Sequence, residues 1–519
     1  MTHRPMKRMR ASLPILAAAA TLAGCTVGPN YAGAPNVAPV ASAASTFQRA
    51  NAAPVDAATP PARWWDTMGD PMLARLIDDA FAASPTLKQA QARILEARAM
   101  LAQQRANLAP NGTVSGSYTA ARLPLGDTSK VENEINSAID RAANVAQQSG
   151  VTVPTSDVSI PDHLDLDLYS VGFDALWEVD LFGGRRRGVE AARARTEAAA
   201  AQNEDSQVQL AAEVGQAYVN LRGAQHRREL LRRSGAVEQR MLDLTLAKRR
   251  YGTASDVDIA RQQAQIKQTE AMLPSLDAQI DQSLDQLAVL TGKEPGMLDA
   301  TLSPARPLPL PPQTVAVGDP AAMLRRRPDI RAAERQLAAS NAGISQAVAQ
   351  YFPRLTLVGS LGFSANDPGD LLQGSSLSVL GLPMLSWNFL DFGRTASQVR
   401  QARARFQESL ASYRNTVLQA LQDAEDSLSR YGHQREAAVK TREALAATVK
   451  SAQLAEVRHR GGTATALDAL DAERQRLQTE QSLAQAETEL SNDYISLQKS
   501  LGLGWQPVDW RQIPVPKEP

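Results

Sequence analysis

Trp177-Glu178-Val179-Asp180-Leu181-Phe182-Gly183-Gly184 returns 210 residues later as Trp387-Asn388-Phe389-Leu390-Asp391-Phe392-Gly393-Arg394. The same offset carries Gly252, Thr253 and Gly292 onto Gly462, Thr463 and Gly502, whereas Pro85 and Pro110 recur as Pro328 and Pro353 at an offset of 243. A fixed spacing of punctuating residues marks an internal duplication, which decides the architecture before any single element is read. Each copy reads as a helix, a pair of β stretches, a very long helix and a return helix. The offset changes because 33 extra residues lie between the β stretches of the first copy, at about Arg122–His163. Gly126-Asp127, Gly150, Pro154 and Pro161 surround a short polar stretch, Lys130–Gln148. This reads as a solvent-facing insertion at one end of a hairpin.

The β stretches show a period of two. Tyr169, Val171, Phe173, Ala175 and Trp177 alternate with Ser170, Gly172 and Asp174; Leu355, Leu357, Gly359, Leu361 and Phe363 alternate with Thr356, Ser360, Gly362 and Ser364. One apolar and one small polar face fits a strand with lipid outside and water inside, and equally a half-buried strand of a soluble sheet. Trp177 and Trp387 close these strands where membrane-interface aromatics sit, or where core aromatics pack. Four strands cannot close a membrane barrel, and lipid tolerates no open edge. If they span, three copies supply twelve.

Val189–Arg250 and Thr395–Arg460 contain no proline. As helices each is ~90–100 Å long. Phe406, Leu410, Tyr413 and Val417 form a coiled-coil seam, and Ile259, Ile266, Leu273, Ile280 and Leu287 keep a strict heptad. Pro274 inside that return helix predicts a kink or break. Five prolines in Pro304–Pro312 predict an extended linker along the outside of the helices.

The chain divides as follows. Residues 1–24 read as a lipoprotein-type signal: Arg4, Lys7, Arg8 and Arg10 precede the apolar Leu13–Ala23 and Leu22-Ala23-Gly24-Cys25. Residues 25–69 form an extended arm, docked by Trp64-Trp65. Residues 70–303 form the first repeat, with strands at about 111–121 and 164–180, a long helix 185–250 and a return helix 255–291. Residues 304–318 are the Pro-rich linker. Residues 319–504 form the second repeat, with strands at about 354–364 and 376–389, a long helix 394–460 and a return helix 465–501. Residues 505–519 are a tail. Cys25 is the chain's one cysteine, so intrachain disulfides and Cys-rich metal sites are excluded. Loss of the leader leaves 51 basic and 55 acidic residues, a net charge of −4 with no basic stripe for nucleic acid. No later apolar run is long enough for a helical span. The five His are scattered, without H-x-x-x-H, G-x-S-x-G or a phosphate loop, so no enzyme or metal site is expected.

With these motifs in order, the chain resembles the TolC-like outer membrane efflux proteins, in their lipoprotein branch of the NodT/OprM type. The resemblance rests on Cys25-Thr26-Val27-Gly28-Pro29-Asn30-Tyr31, both strand-to-helix junctions, and the turns Tyr251-Gly252-Thr253 and Arg460-Gly461-Gly462-Thr463. It implies a mainly α protein with membrane β. Three chains of two tandem repeats would build a twelve-stranded β-barrel, four strands each, on an α-barrel of long antiparallel coiled-coil helices. It implies a lipid (palmitate) on Cys25 in place of any cofactor, an outer-membrane location reaching into the periplasm, and a passive conduit for drugs and toxic compounds. The implied partners are a periplasmic adaptor, an inner-membrane pump of the RND type and outer-membrane lipid. Gly252, Thr253, Gly462 and Thr463 match the tip turns where the adaptor docks. Asp468 and Asp471 match the aperture aspartates, with Asp258 a further candidate on the partner turn; their crowding around one opening is expected to raise some pKa values. The tip's expected opening is by adaptor and pump engagement. His459 and Ala464 stand where the family has latch Tyr and Arg side chains, with Arg460 beside them. The competing reading is a structural periplasmic coiled-coil lipoprotein, a tether or adhesin without a pore.

Overall fold

The computed structural model describes residues 26–50, 55–124, 126, 128–148, 156–157, 159 and 163–514. The leader 1–24, Cys25, the punctuating Asp127, Gly150, Pro154 and Pro161, and the end of the tail lie outside the described residues. The main elements are α1 (Pro71–Ala83), α2 (Pro85–Ala106), β1 (Asn111–Pro124), α3 (Ser129–Gln148), β2 (His163–Val179), α4 (Gly184–Arg250) and α5 (Asp256–Leu290). After the linker come α6 (Pro320–Arg326), α7 (Pro328–Ala349), β3 (Arg354–Ala365), β4 (Leu377–Ser386), α8 (Arg394–Arg460) and α9 (Ala466–Ser500). The chain is mainly helical, and α4 and α8 each run 67 residues.

Two compact units are formed. The first comprises the described parts of 26–28, 103–188 and 345–398, and its body is a four-stranded antiparallel sheet in the order β1-β2-β3-β4. The register sets Val114 beside Phe173, Phe173 beside Leu361, and Leu361 beside Val379. These four therefore share one face, and all are exposed, from 46% at Phe173 to 77% at Val114. The neighbouring face carries Ser115, Ser170, Asp174, Ser360 and Ser378. The alternation fails in β4, all ten of whose residues are exposed and where Leu380, Leu382 and Met384 join Leu166, Leu168 and Leu176 on the face that carries these polar residues. β4 also ends earlier than its sequence pattern, at Ser386 opposite Arg354. The preceding Pro353 has no N–H to extend the ladder.

The insertion between β1 and β2 is not a plain polar loop. Its stretch 129–148 is the helix α3. No Gly or Pro interrupts it and apolar residues recur every three or four positions.

The second unit comprises the described parts of 29–102, 189–344 and 399–514. Two of its helices open on aspartate caps: Asp70 accepts from the Met72 and Leu73 amides and Asp319 from that of Ala322. Its core centres on Trp64 and Trp65, 0% and 1% exposed, which meet edge to face at 5.5 Å. Trp64 also meets the Tyr494 ring of α9 at 6.2 Å, and the Tyr218 hydroxyl of α4 donates to Asp70. Along the heptad of α5, Ile259 and Leu273 are half-buried and Ile266, Ile280 and Leu287 are buried. Of the kink or break expected at Pro274, the break does not occur: α5 runs through it. It lies on the exposed face, as does Glu270, whose carbonyl loses its helical donor and is left to water. The linker's carbonyls at Pro304, Pro309 and Gln313 receive Arg222, Ser491 and Arg435 from three different helices.

Candidate functional site

Three features are candidates: the amphipathic sheet, the strand-to-helix junctions, and the interhelical turns. At the junctions both repeats use the same device. The indole N–H of Trp177 donates to the Leu108 carbonyl at 2.9 Å, and that of Trp387 to the Tyr351 carbonyl at 2.9 Å. Each ring ties a strand end to a carbonyl just past the helix that enters the sheet, and both rings stay partly exposed, at 36% and 55%. An apolar ring with one satisfied polar tip suits a lipid–water boundary. The chain then turns at Gly183 (φ 79°) and Gly393 (φ 86°). Phe392, before the second of these, is itself left-handed at φ 51° and 87% exposed, whereas its counterpart Phe182 stacks on Phe352 at 4.7 Å.

The N-terminal arm is fastened at the first junction. The Val27 amide donates to the Phe182 carbonyl at 3.1 Å, and Arg187 donates to the Thr26 hydroxyl at 3.3 Å. A Cβ on Gly183 would fall 2.6 Å from Thr26 Cγ2 and 3.1 Å from its Cα. Cys25, which precedes Thr26, lies outside the described residues.

The two interhelical turns are near copies. Gly252 (φ 73°) and Gly462 (φ 74°) take the left-handed position that only glycine adopts without strain. The Thr253 amide reaches back to the Lys248 carbonyl and that of Thr463 to Arg458, closing the last turns of α4 and α8. Both threonine hydroxyls donate to those same carbonyls. Thr253 and Thr463 thus finish the preceding helices. The following helices are started by Ser255 and Thr465, in capping boxes with Asp258 and Asp468. Asp468 accepts the Thr465 amide at 2.8 Å and its hydroxyl at 2.7 Å; Asp258 accepts those of Ser255 at 2.9 and 2.7 Å. These caps escaped the sequence reading, although S-x-x-D and T-x-x-D before a helix is their signature.

The capping bonds set the electrostatics. The Ser255 amide and hydroxyl hold the Asp258 carboxyl below its ordinary range. The Thr465 hydroxyl and amide do the same for Asp468, helped by the charges of Lys248 and Arg458. Within one chain both shifts are downward, because hydrogen bonds to the charged form outweigh the desolvation of the carboxyls. Asp471 lies one turn further along α9 and pairs with Arg474 at 2.7 Å. The turns differ in one respect. Arg249 bridges the first turn to Asp256 at 2.9 Å, whereas at the second His459 Nδ1 lies 3.3 Å from the Ala464 carbonyl. Among the described residues no cluster of ligands fit for a metal is present, and no helix is long and apolar enough to cross a membrane.

The family model for outer membrane efflux proteins matches residues 76–293 and again 320–503. The chain belongs to the outer membrane efflux protein family. It is 29% identical over 491 residues to nodulation protein T of Rhizobium leguminosarum bv. trifolii, covering 94% of this chain and 96% of the relative. It is 28% identical to outer membrane protein OprJ of Pseudomonas aeruginosa, covering 96% and 97%. Among solved structures, the outer-membrane channel OprN superposes with a TM-score of 0.79 at 33% identity, over 93% of this chain and all of that one. The open-state MtrE outer membrane channel of Neisseria gonorrhoeae gives 0.73 at 25% identity, over 92% and 98%. This efflux protein is therefore a component of the bacterial outer membrane that reaches into the periplasm, and it is not an enzyme. Its family match falls on both repeats and stops short of the arm, the linker and the tail.

Proposed function

We propose that this efflux protein is the passive outer-membrane conduit of a tripartite export system and works as a homotrimer. The observation that carries the reading is the sheet. Its order leaves β1 and β4 each with one unpaired side, and one whole face displays Val114, Phe173, Leu361 and Val379 outward. An unpaired, two-edged apolar sheet is unstable in water and impossible in lipid. Three copies joined edge to edge complete twelve strands and remove every edge. The long helices then form the periplasmic α-barrel. Cys25 carries the lipid anchor, which the fastening of Thr26 brings to the junction where Trp177 marks the lipid boundary. The turns at Gly252-Thr253 and Gly462-Thr463 are the surface for a periplasmic adaptor, and an inner-membrane pump of the RND type supplies the energy. Asp468 and Asp471, with Asp258, ring the periplasmic aperture, and three chains place their carboxylates around one opening that favours cations. A tether or adhesin without a pore leaves the sheet's apolar face unexplained.

The test is the mass and conductance of the detergent-extracted particle. The expected result is a trimer that conducts in planar bilayers, with conductance rising when Asp468 and Asp471 are replaced by Ala. A monomer without membrane-embedded β-structure overturns the reading. Mass spectrometry of the mature N-terminus is expected to find an acylated Cys25.

A further inference from the structure

The helix α3 has no counterpart in the second repeat. It sits between β1 and β2 at the Pro124/His163 end of that hairpin, opposite the end where Asn111 and Val179 meet the long helices. Val131, Ile135, Ala138, Ala142 and Val145 follow spacings of four, three, four and three, the seam of a coiled coil. All five are exposed, Val131 at 53%, Ile135 at 37% and Val145 at 66%. A 20-residue helix is marginal alone and is held by burial of its apolar stripe. This stripe is not buried within the chain.

We propose that the α3 helices of three copies pack through this seam into a parallel three-helix bundle that stands on the barrel axis and plugs its outer mouth. The inference rests on the trimeric barrel reading. A second copy is the occupant that position, dimensions and charge select. First, α3 follows the edge strand β1, the strand that must meet a neighbouring copy, after only four connecting residues, 125–128. Second, the dimensions fit. Twelve strands ~4.8 Å apart and tilted ~40° enclose a mouth ~24 Å across, so the rim is only ~12 Å from the axis, about one helix diameter, and three helices standing inside the rim touch there. Third, the charge is wrong for the alternative. α3 carries Glu132, Glu134 and Asp140 against Lys130 and Arg141, whereas helices that lie on anionic lipid present a basic polar face. The alanines at 138 and 142 let three helices approach closely on the axis.

Cross-linking tests this directly, because the chain has no cysteine besides Cys25. In the full-length protein in outer-membrane vesicles, Ile135→Cys is expected to give covalent oligomers under oxidation. Asn133→Cys, on the opposite side of α3, and the parent chain are expected to give none. A Ser360→Cys reporter on the polar face of the sheet is expected to react several-fold faster with a bulky external maleimide once Ile135→Asp is added. A native trimer in which the Cys at 135 does not cross-link, or in which Ile135→Asp leaves the reporter's rate unchanged, overturns the bundle while leaving the trimer intact. A Cys at 135 that is shielded from soluble maleimide without cross-linking places α3 on lipid and overturns it as well. A particle that is not trimeric fails the underlying reading instead.

Discussion

Gly223 is the residue at which two long helices approach most demandingly. A Cβ there would lie 2.4 Å from Thr488 Oγ1 and 2.7 Å from its Cγ2, on α9. Gly223→Ala gains ~1 kcal/mol of helix propensity and loses ~1–3 kcal/mol to overpacking, so the net expectation is a lower melting temperature. Thr488→Ala in the same chain is expected to restore much of it, and a double-mutant cycle in thermal unfolding checks this. At the turns, Thr465→Ala removes a cap worth about 1 kcal/mol, and hydrogen exchange of the first amides of α9 is expected to accelerate. The pH dependence has a definite sign. Asp258 and Asp468 titrate below the unfolded value, so the stability they lend is complete above ~3.9 and is lost as pH falls through the depressed folded value. Exchange protection at both turns, corrected for intrinsic rate, should hold at pH 5 and fade only in stronger acid. Fading already between pH 6 and 5 contradicts the capping-box account.

The sheet makes the prediction that belongs to whole elements. Phe173 and Ser170 lie on opposite faces of β2, and the faces differ in the solvent proposed for them. Phe173→Arg is expected to cost ~2–4 kcal/mol if it points into lipid near the midplane, whereas Ser170→Arg is expected to assemble normally and reduce conductance. The yield of folded trimer from membranes distinguishes the two, and equal yields contradict the assignment of faces. Why the elements were legible to different degrees follows from the same physics. The long helices were readable because sixty proline-free residues with apolar spacings of three and four admit few alternatives. β2 and β3 were readable from alternation. β4 was placed, at about 376–389, by its position in the duplicated plan and not by alternation, because Leu380, Leu382 and Met384 erase the period. α3 was hidden because its neighbours Gly126, Gly150 and Pro154 suggest a loop while the helix itself is short and mostly polar. At the site, the junction tryptophans and the turn glycines stood out as repeats. The capping role of Asp258 and Asp468 did not, since an aspartate near a turn looks the same whether it faces a partner, an aperture or its own backbone.

At the scale of the whole chain, the two repeats are not interchangeable. The first junction holds Thr26 and Phe352, while the second leaves Phe392, Phe389 and Leu390 exposed at 67% or more. Gly183→Ala is expected to release the arm, because its Cβ would meet the Thr26 backbone as well as its side chain. Faster proteolytic nicking near Tyr31 in the purified particle checks this, and unchanged nicking contradicts the fastening. The second unit has a feature of a different kind. Ala62 accepts the Gly504 amide at 3.0 Å, and the Thr67 and Tyr494 hydroxyls meet at 2.6 Å, beside the buried Trp64 and Trp65. A polypeptide that emerges from its exporter amino end first therefore presents two naked indoles long before the segment that shelters them arrives. Over four hundred residues separate those rings from Tyr494, so their burial is completed only once the second repeat has been exported, and this unit cannot finish folding one repeat at a time.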